Sequence, residues 1–154
     1  MYMRRSEKAV TDPEQLYRII DRCDFCRLGM INGTVPYIVP LCFVRSGHTL
    51  LFHSAQEGLK IDLIRNNPNV CFGMERNVSV VRSEDPCRWG IRYESITGTG
   101  SAVFVDDPVE KEQALAALMR KYGSSEESYS FDQAAIDATC IVSISIVSLT
   151  GKRS

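Results

Sequence analysis

The first strongly periodic segment is TDPEQLYRIIDRC. Leu16, Ile19, Ile20 and Cys23 fall at i, i+3, i+4 and i+7, which predicts a helix with one apolar stripe. Asp12 is placed to cap it, Pro13 to open it and Gln15 to reach back. The period then shortens to that of strands. CRLGMI (26–31) runs into Asn32-Gly33, a hairpin signal. VPYIVPLCFVR (35–45) returns, and Pro36 and Pro40 mark it as an edge strand or a bulged one, because proline cannot donate to a ladder. After Ser46-Gly47-His48, TLLFHS (49–54) supplies a third strand. Three successive strands with short turns predict an antiparallel meander.

A short helix follows and ends at Asn-Asn-Pro68. NVCFGME (69–75) alternates, with Val70, Phe72 and Met74 on one face. Residues 77–88, polar and interrupted by Pro86, read as a loop. RWGIRYESITGTGSAVFVDD (88–107) is too long for one straight strand, and Gly98 and Gly100 predict a bulge, a bend or a close backbone approach. Asp107-Pro108 opens a second capped helix with Glu110 at N3 and a stripe of Leu115, Leu118, Met119 and Tyr122. GSSEESYS (123–130) is a polar connection, and a short helix is expected over 131–137. In CIVSISIVSL (140–149), Val142, Ile144 and Ile146 face one way and Ser143 and Ser145 the other. About six strands, without regular strand–helix alternation, exclude a doubly wound parallel sheet. The pattern predicts a mainly β fold, an antiparallel barrel with peripheral helices, in a single domain spanning 1–154.

Composition narrows the function classes. The formal net charge is −1 over 154 residues, so no broad basic field points to nucleic acid. No apolar run approaches the ~20 residues that span a bilayer. The N-terminal MYMRRSEKAVTDPEQ lacks an apolar segment behind its basic residues, so it is not read as a signal peptide, and a cytoplasmic location is expected. Of six cysteines, Cys42, Cys71 and Cys140 lie in apolar runs and are read as small hydrophobes. Cys23 and Cys26 form a C-x-x-C with no second ligand pair, so buried thiols are expected rather than a metal or redox centre.

The stretch FHSAQEGLK carries the densest chemistry and supports two readings. Ser54-Ala-Gln-Glu57 matches an S-x-x-E capping box, with Lys60 solvated. Alternatively, the helix N-terminus offers free N–H donors and a positive dipole end, Gly58 allows close backbone approach, and Lys60 adds a point charge, together suiting a phosphate. The spacing is not that of a P-loop. Elsewhere, Arg92 is either a forked donor for phosphate or a surface arginine. Trp89 and Tyr93 are core, interface or ligand-stacking aromatics, and His53 is a sheet histidine or a proton carrier.

Taken in order, MRRSEKAVTDPEQLYRIIDRCDFCRLGMINGTVPYIVPLCFV, LLFHSAQEGLKIDLIRNNPNVCF, WGIRYESITGTGSAVFVDDPVEK and LTGKRS resemble the flavin-binding split-barrel family related to pyridoxamine 5′-phosphate oxidase. Within it, F-H-S-A-x-x-G-x-K, N-N-P and Y-x-S-x-x-G-x-G resemble the branch that includes the 5-nitroimidazole resistance proteins. The resemblance implies a six-stranded split barrel, a homodimer, and FMN in clefts between subunits. It implies that Lys60 contacts the FMN phosphate. His53, Ser54 and Ala55 would lie beside the phosphate and ribityl chain, with Gly58 at the same turn. Val39, Pro40 and Leu41 would run along the isoalloxazine ring, while Arg92, Tyr93 and Ser95 approach the cofactor and Trp89 stands near the ring. The additional arginine- and histidine-bearing motifs of the true oxidases near their C-terminus are not matched by SLTGKRS, so vitamin B6 synthesis is not implied. The activity implied is reduction of a small aromatic acceptor such as a nitroimidazole, with His53 the candidate proton donor. A nicotinamide electron donor would dock transiently, since no dinucleotide fingerprint follows a strand. A non-catalytic flavin- or haem-binding protein, or an oxidoreductase closer to the oxidase itself, are the alternatives.

Overall fold

The computed structural model describes residues 5–123 and 127–154. The first four residues of the basic N-terminal stretch, and residues 124–126 of the polar connection, lie outside the described residues. The element order is β1 (Ala9–Val10), α1 (Pro13–Asp21), β2 (Cys26–Asn32), β3 (Val35–Leu41), β4 (Val44–Ser46), β5 (Thr49–Ala55), α2 (Leu59–Asn66), β6 (Asn69–Val81), β7 (Gly90–Val105), α3 (Pro108–Tyr122), α4 (Gln133–Ala138) and β8 (Thr139–Arg153).

All strand pairings among the described residues are antiparallel, in the order β3-β2-β6-β7-β8-β5-β4, with β1 added to β8. The ladder has two free edges, β3 and β4, and does not close on itself, as in a split barrel. Leu28, Leu50, Phe52, Ile61, Ile64, Phe72, Met74, Ile96, Val142 and Ile144 form its main core, with Leu16, Ile19 and Ile20 of α1. The stripe and alternation expected from sequence therefore point inward. A second, smaller cluster of Ala114, Leu115, Ile136 and Ile141 lies where α3 and α4 cover the opposite face of β5 and β8. Asp12 accepts from the Glu14 N–H at 3.0 Å and from Gln15 Nε2 at 3.1 Å, and Asp107 accepts from the Glu110 N–H at 2.9 Å, so both expected caps form. No described helix is long and apolar enough to cross a membrane.

Several expectations need correction. The run 35–45 is two strands, not one, and there is no meander. β3 pairs only with β2 at one end of the sheet, while β4 and β5 form a hairpin at the other. The chain leaves the sheet at Cys42-Phe43, where the Phe43 ring is fully buried and its N–H donates to Tyr122 Oη at 2.9 Å. Residues 78–81 are strand rather than loop. β6 passes Asn77, at φ 53°, with a register shift between Arg76 and Ser79, and continues against β7 to Val81↔Gly90. The ladder also exceeds the expected six strands by the short β1 and β4.

Gly98 and Gly100 mark the close approach that their positions suggested. A Cβ on Gly98 would sit 2.6 Å from Phe72 Cε2 and 2.7 Å from the Ser148 carbonyl oxygen, and β7 shifts register between Thr99 and Gly100. Cys23 and Cys26 are buried, and burial pushes their thiols up to about 11 and about 12, which suppresses thiolate chemistry. Cys42 and Cys71, expected inside, are exposed, and Cys140 is half-buried. Cys71 alternates with the inward Val70 and Phe72, and Cys42 sits in the gap between β3 and β4.

Candidate functional site

His53, Ser54 and Ala55 form the last residues of β5, paired with Ile141, Cys140 and Thr139 of β8. Strand alternation puts Ser54 on the face of Phe52 and Leu50, both buried in the main core, and its partner Cys140 shares that face. His53, which is exposed, leaves the opposite face. The chain then turns at Gly58, whose φ of 124° is accessible to glycine and strained for other residues. The Ile61 and Asp62 N–H groups donate to the Gly58 carbonyl at 2.9 and 3.1 Å, and α2 begins.

The capping box does not form. Gly58 is the N-cap, and no side chain caps the turn. A capping box needs its serine at the N-cap and its glutamate at N3, but the β5–β8 ladder holds Ser54 in strand, four residues too early. The first turn of α2 thus keeps its positive dipole end open.

Lys60 stands on that turn and is not the freely solvated side chain of the capping-box reading. It is half-buried, with Nζ 5.4 Å from the centroid of the Phe52 ring. Burial pushes its pKa down, opposed by the neighbouring Cys140 thiol. No carboxylate pairs with it among the described residues. Two further cations converge here that sequence reading did not single out. Burial raises the Cys140 thiol, while Arg65, Lys111 and Lys60 each pull it back down. A cavity of about 360 Å³ beside this point is lined by Gln56, Arg65, Phe104, Asp106, Lys111 and Cys140. Arg65 lies five residues beyond Lys60 in α2, a spacing that puts the two on different sides of the helix, so helical periodicity does not group them. Lys111 comes from α3 and carries no local signal.

The other expected site residues lie apart from this junction. Val39, Pro40 and Leu41 end the edge strand β3, opposite Leu28, Arg27 and Cys26. Val39 and Leu41 pack against the core, while Pro40 is exposed. Trp89 follows a 3₁₀ turn (Pro86–Arg88), with its Nε1 donating to the Ser83 carbonyl at 2.8 Å, and the residue is 52% exposed. Arg92 pairs with Ser79, and Ser95 lies between Glu75 and Lys152. Tyr93 exchanges backbone hydrogen bonds with Ser154 at 3.3 and 2.9 Å. Arg92 and Tyr93 line a groove of about 620 Å³ on the far part of the β6–β7 ribbon. This groove and the cavity beside Cys140 share no lining residue, and Val39, Pro40 and Leu41 line neither. What one chain assembles is the junction of β5 and α2: an open helix end, a hydroxyl and a half-buried lysine, with Arg65, itself 3.9 Å from Asp62, and Lys111 lining the neighbouring cavity together with Asp106. Such an arrangement can hold a small anion such as a phosphate monoester.

Comparison with known proteins gives a consistent picture. A family profile described as pyridoxamine 5′-phosphate oxidase matches residues 12–153. No curated protein sequence matches the chain. Among solved structures, a candidate 5-nitroimidazole antibiotic resistance protein from Bacteroides thetaiotaomicron is 30% identical, over 94% of this chain and 85% of that one, with a TM-score of 0.83. The flavocytochrome Anf3 from Azotobacter vinelandii superposes with a TM-score of 0.86 at 21% identity, over 99% of this chain and 72% of that one. An FAD- and haem-binding protein from Mycobacterium smegmatis gives 0.86 at 20%, over 96% and 73%. The last two share the fold. Nearly the whole of the chain is covered by the family profile, and it belongs to the pyridoxamine 5′-phosphate oxidase family.

Proposed function

We propose that the protein binds FMN with its phosphate at the β5–α2 junction and acts as a flavin-dependent reductase of a small, flat aromatic acceptor. The observation that carries this reading is the uncapped first turn of α2 with the half-buried, carboxylate-free Lys60 upon it. An ammonium whose charge is penalised by burial gains most from a bound dianion. The residues fit a phosphate: N–H donors from α2, the Ser54 hydroxyl on the inward face, Gly58 without a Cβ, and Lys60 as the point charge. Ala55 continues the same strand end.

Bound there, the flavin would supply the hydride or electron transfer, and the protein the binding, orientation and shielding. Val39, Pro40 and Leu41, on an edge with no outer strand, are proposed to present backbone groups to the flavin ring, where Pro40 gives up a donor. Trp89, Arg92, Tyr93 and Ser95 are proposed to reach the same cleft from the second subunit of a homodimer. His53 is the proposed proton donor. Because it leaves the opposite face of β5 from Ser54, that role requires an acceptor bound on the His53 face. His53→Gln should then lower turnover with flavin content unchanged. The description of the 30% identical relative supports nitroaromatics as the acceptor class, and a nicotinamide nucleotide as electron donor completes the proposal.

The test is to reduce the flavin-loaded protein anaerobically, add a 5-nitroimidazole and follow the flavin absorbance. Reoxidation coupled to loss of the nitro group supports the reductase reading. Stable reduced flavin in the presence of excess acceptor refutes it.

A further inference from the structure

The core face of the sheet ends in arginines beside α1. Met74, Ile96 and Gly151 are buried neighbours in β6, β7 and β8, in the register Met74↔Ile96↔Gly151. Two residues along the same faces stand Arg76, Glu94 and Arg153, again paired across the three strands. Arg18 of α1 and Arg22 at its C-cap lie against them. A cavity of about 210 Å³ is lined by these four arginines together with Glu94, Gln15 and the buried Ile19. It shares no lining residue with the groove at Arg92 and Tyr93 or with the cavity beside Cys140. Tyr93 and Ser95 alternate with Glu94 along β7, and Lys152 and Ser154 with Arg153 along β8, so they leave the opposite face of the sheet.

Four guanidinium groups here face one carboxylate, and both oxygens of that carboxylate are occupied. Arg153 donates to Glu94 Oε1 through Nε at 2.8 Å and Nη2 at 2.7 Å. Glu94 Oε2 accepts from Asn77 Nδ2 at 3.1 Å and lies 3.6 Å from Arg76 Nη1. The Glu94 and Arg76 side chains are only 16% and 24% exposed, so they form a fixed base. Arg22 takes no ion pair among the described residues. Arg18 reaches only Glu14, at 3.4 Å, and both side chains are largely exposed, which makes the pair weak. Asp12, which lines the adjoining cavity with Glu7, is committed to capping α1 and to Gln15. Arg18 and Arg22 stand at i and i+4, where like charges repel. An oxyanion between the arginines relieves that repulsion and meets several guanidinium forks at once. The cavity exceeds the ~30 Å³ share of one water several times over, yet it is smaller than the ~300 Å³ at which sites for drug-sized ligands begin. We infer that it is a site for a small multivalent oxyanion of the size of inorganic phosphate, held between α1 and the end of the β6–β7–β8 ladder. The inference is independent of the flavin reading.

The experiment titrates inorganic phosphate by calorimetry at neutral pH, with ionic strength held constant by sodium chloride. Lys60→Ala is the parent protein, because it removes the lysine proposed to hold a phosphate at the β5–α2 junction. Three variants are built on it: Arg18→Gln with Arg22→Gln, Arg22→Glu alone, and, as the control, Arg120→Gln, an exposed arginine of α3 outside the cavity. Arg18 and Arg22 are both exposed, so the variants should fold, which far-UV circular dichroism checks. Lys60→Ala is expected to bind one phosphate per chain. The double glutamine variant and Arg22→Glu should each weaken it about tenfold or more, and Arg120→Gln by less than about twofold. Absence of phosphate binding to Lys60→Ala overturns the inference. So does binding to the double variant and to Arg22→Glu that equals binding to Arg120→Gln. Either result leaves the flavin phosphate at Lys60 untouched, because that reading is tested by FMN affinity.

Discussion

Tyr122→Phe should unfold the protein more easily than the loss of one exposed hydroxyl suggests. The residue is 42% exposed at the end of α3, yet its phenol oxygen is a junction. It accepts from the Phe43 N–H at 2.9 Å, lies 3.0 Å from the Phe43 carbonyl, and donates to the Asp24 carbonyl at 2.6 Å. These contacts tie α3 to the point where the chain leaves β3 for β4 and to the loop after α1. Phenylalanine keeps the ring and leaves the Phe43 N–H and the Asp24 carbonyl without that partner. An unsatisfied buried group costs about 1–3 kcal/mol. The Phe43 N–H is partly buried, so the lower figure applies to it, while the exposed Asp24 carbonyl loses only a net hydrogen bond of about 0.5–1.5 kcal/mol, giving together a loss of about 2 kcal/mol. For a domain of this size that lowers Tm by roughly 4–8 °C. The assay is thermal unfolding at neutral pH, read by far-UV circular dichroism. A further signature is available, because burial pushes this phenol up to about 12 from its ordinary 10. The stability it contributes is complete below pH 10 and is lost as pH rises through about 12, a loss that Tyr122→Phe should remove. A Tm change below about 1 °C with an unaltered alkaline limb would refute the reasoning, since it would mean water serves both backbone groups equally well.

Gly98→Ala should destabilise by about 1–3 kcal/mol or more through overpacking against Phe72 and the Ser148 carbonyl, while Gly90→Ala, with open space around it, should stay within about 0.5 kcal/mol in the same urea titration. Asp107→Ala should cost about 1 kcal/mol by removing the α3 cap, whereas Ser54→Ala, which removes no cap, should leave stability within about 0.5 kcal/mol, as compared by chemical denaturation. Stability should fall above pH 9, because an unfolded chain releases the Cys23 and Cys26 protons near 9.0 while the folded chain holds them to about 11 and about 12; the double alanine variant should flatten that limb of a pH–denaturation series. In a timed alkylation at pH 8 analysed by mass spectrometry, the exposed Cys87 should react while Cys23 and Cys26 stay protected.

Much of the fold was legible because local signals and tertiary contacts agree. Asp12-Pro13 and Asp107-Pro108 cap the helices they announce, and Val70, Phe72 and Met74 point into the core. The failures arise where they disagree. The apolar run through Leu41, Cys42, Phe43 and Val44 has no break that marks the departure from the sheet, since Phe43 remains buried while its neighbours change strand. After Arg76, Val78, Val80 and Val81 are strand-favouring residues in a stretch that pairs with β7, a signal masked in sequence by the polar residues and Pro86 that follow. Ser54 and Glu57 have the spacing of a capping box, but the ladder to Cys140 claims Ser54 first, a long-range pairing overriding a local preference.

The same division applies to the candidate sites. Ser54, Gly58 and Lys60 are close in sequence and could be read together. Arg65, at i+5 from Lys60, is off the face that helical spacing would group with it, and Lys111 is delivered by α3. The arginine cavity was invisible in sequence, because Arg18 and Arg22 meet Arg76 and Arg153 only through the packing of α1 against the β6–β7–β8 ladder.

The central claim is that the open turn of α2 seats a flavin phosphate on Lys60. The most direct measurement is an FMN titration of the wild-type protein and Lys60→Ala, followed by visible absorption and flavin fluorescence, with the Tm of each unliganded protein alongside. The account predicts saturable FMN binding that weakens about tenfold or more in Lys60→Ala, with the unliganded Tm little changed. Equal FMN affinity in the two proteins, or no binding by either, would contradict it.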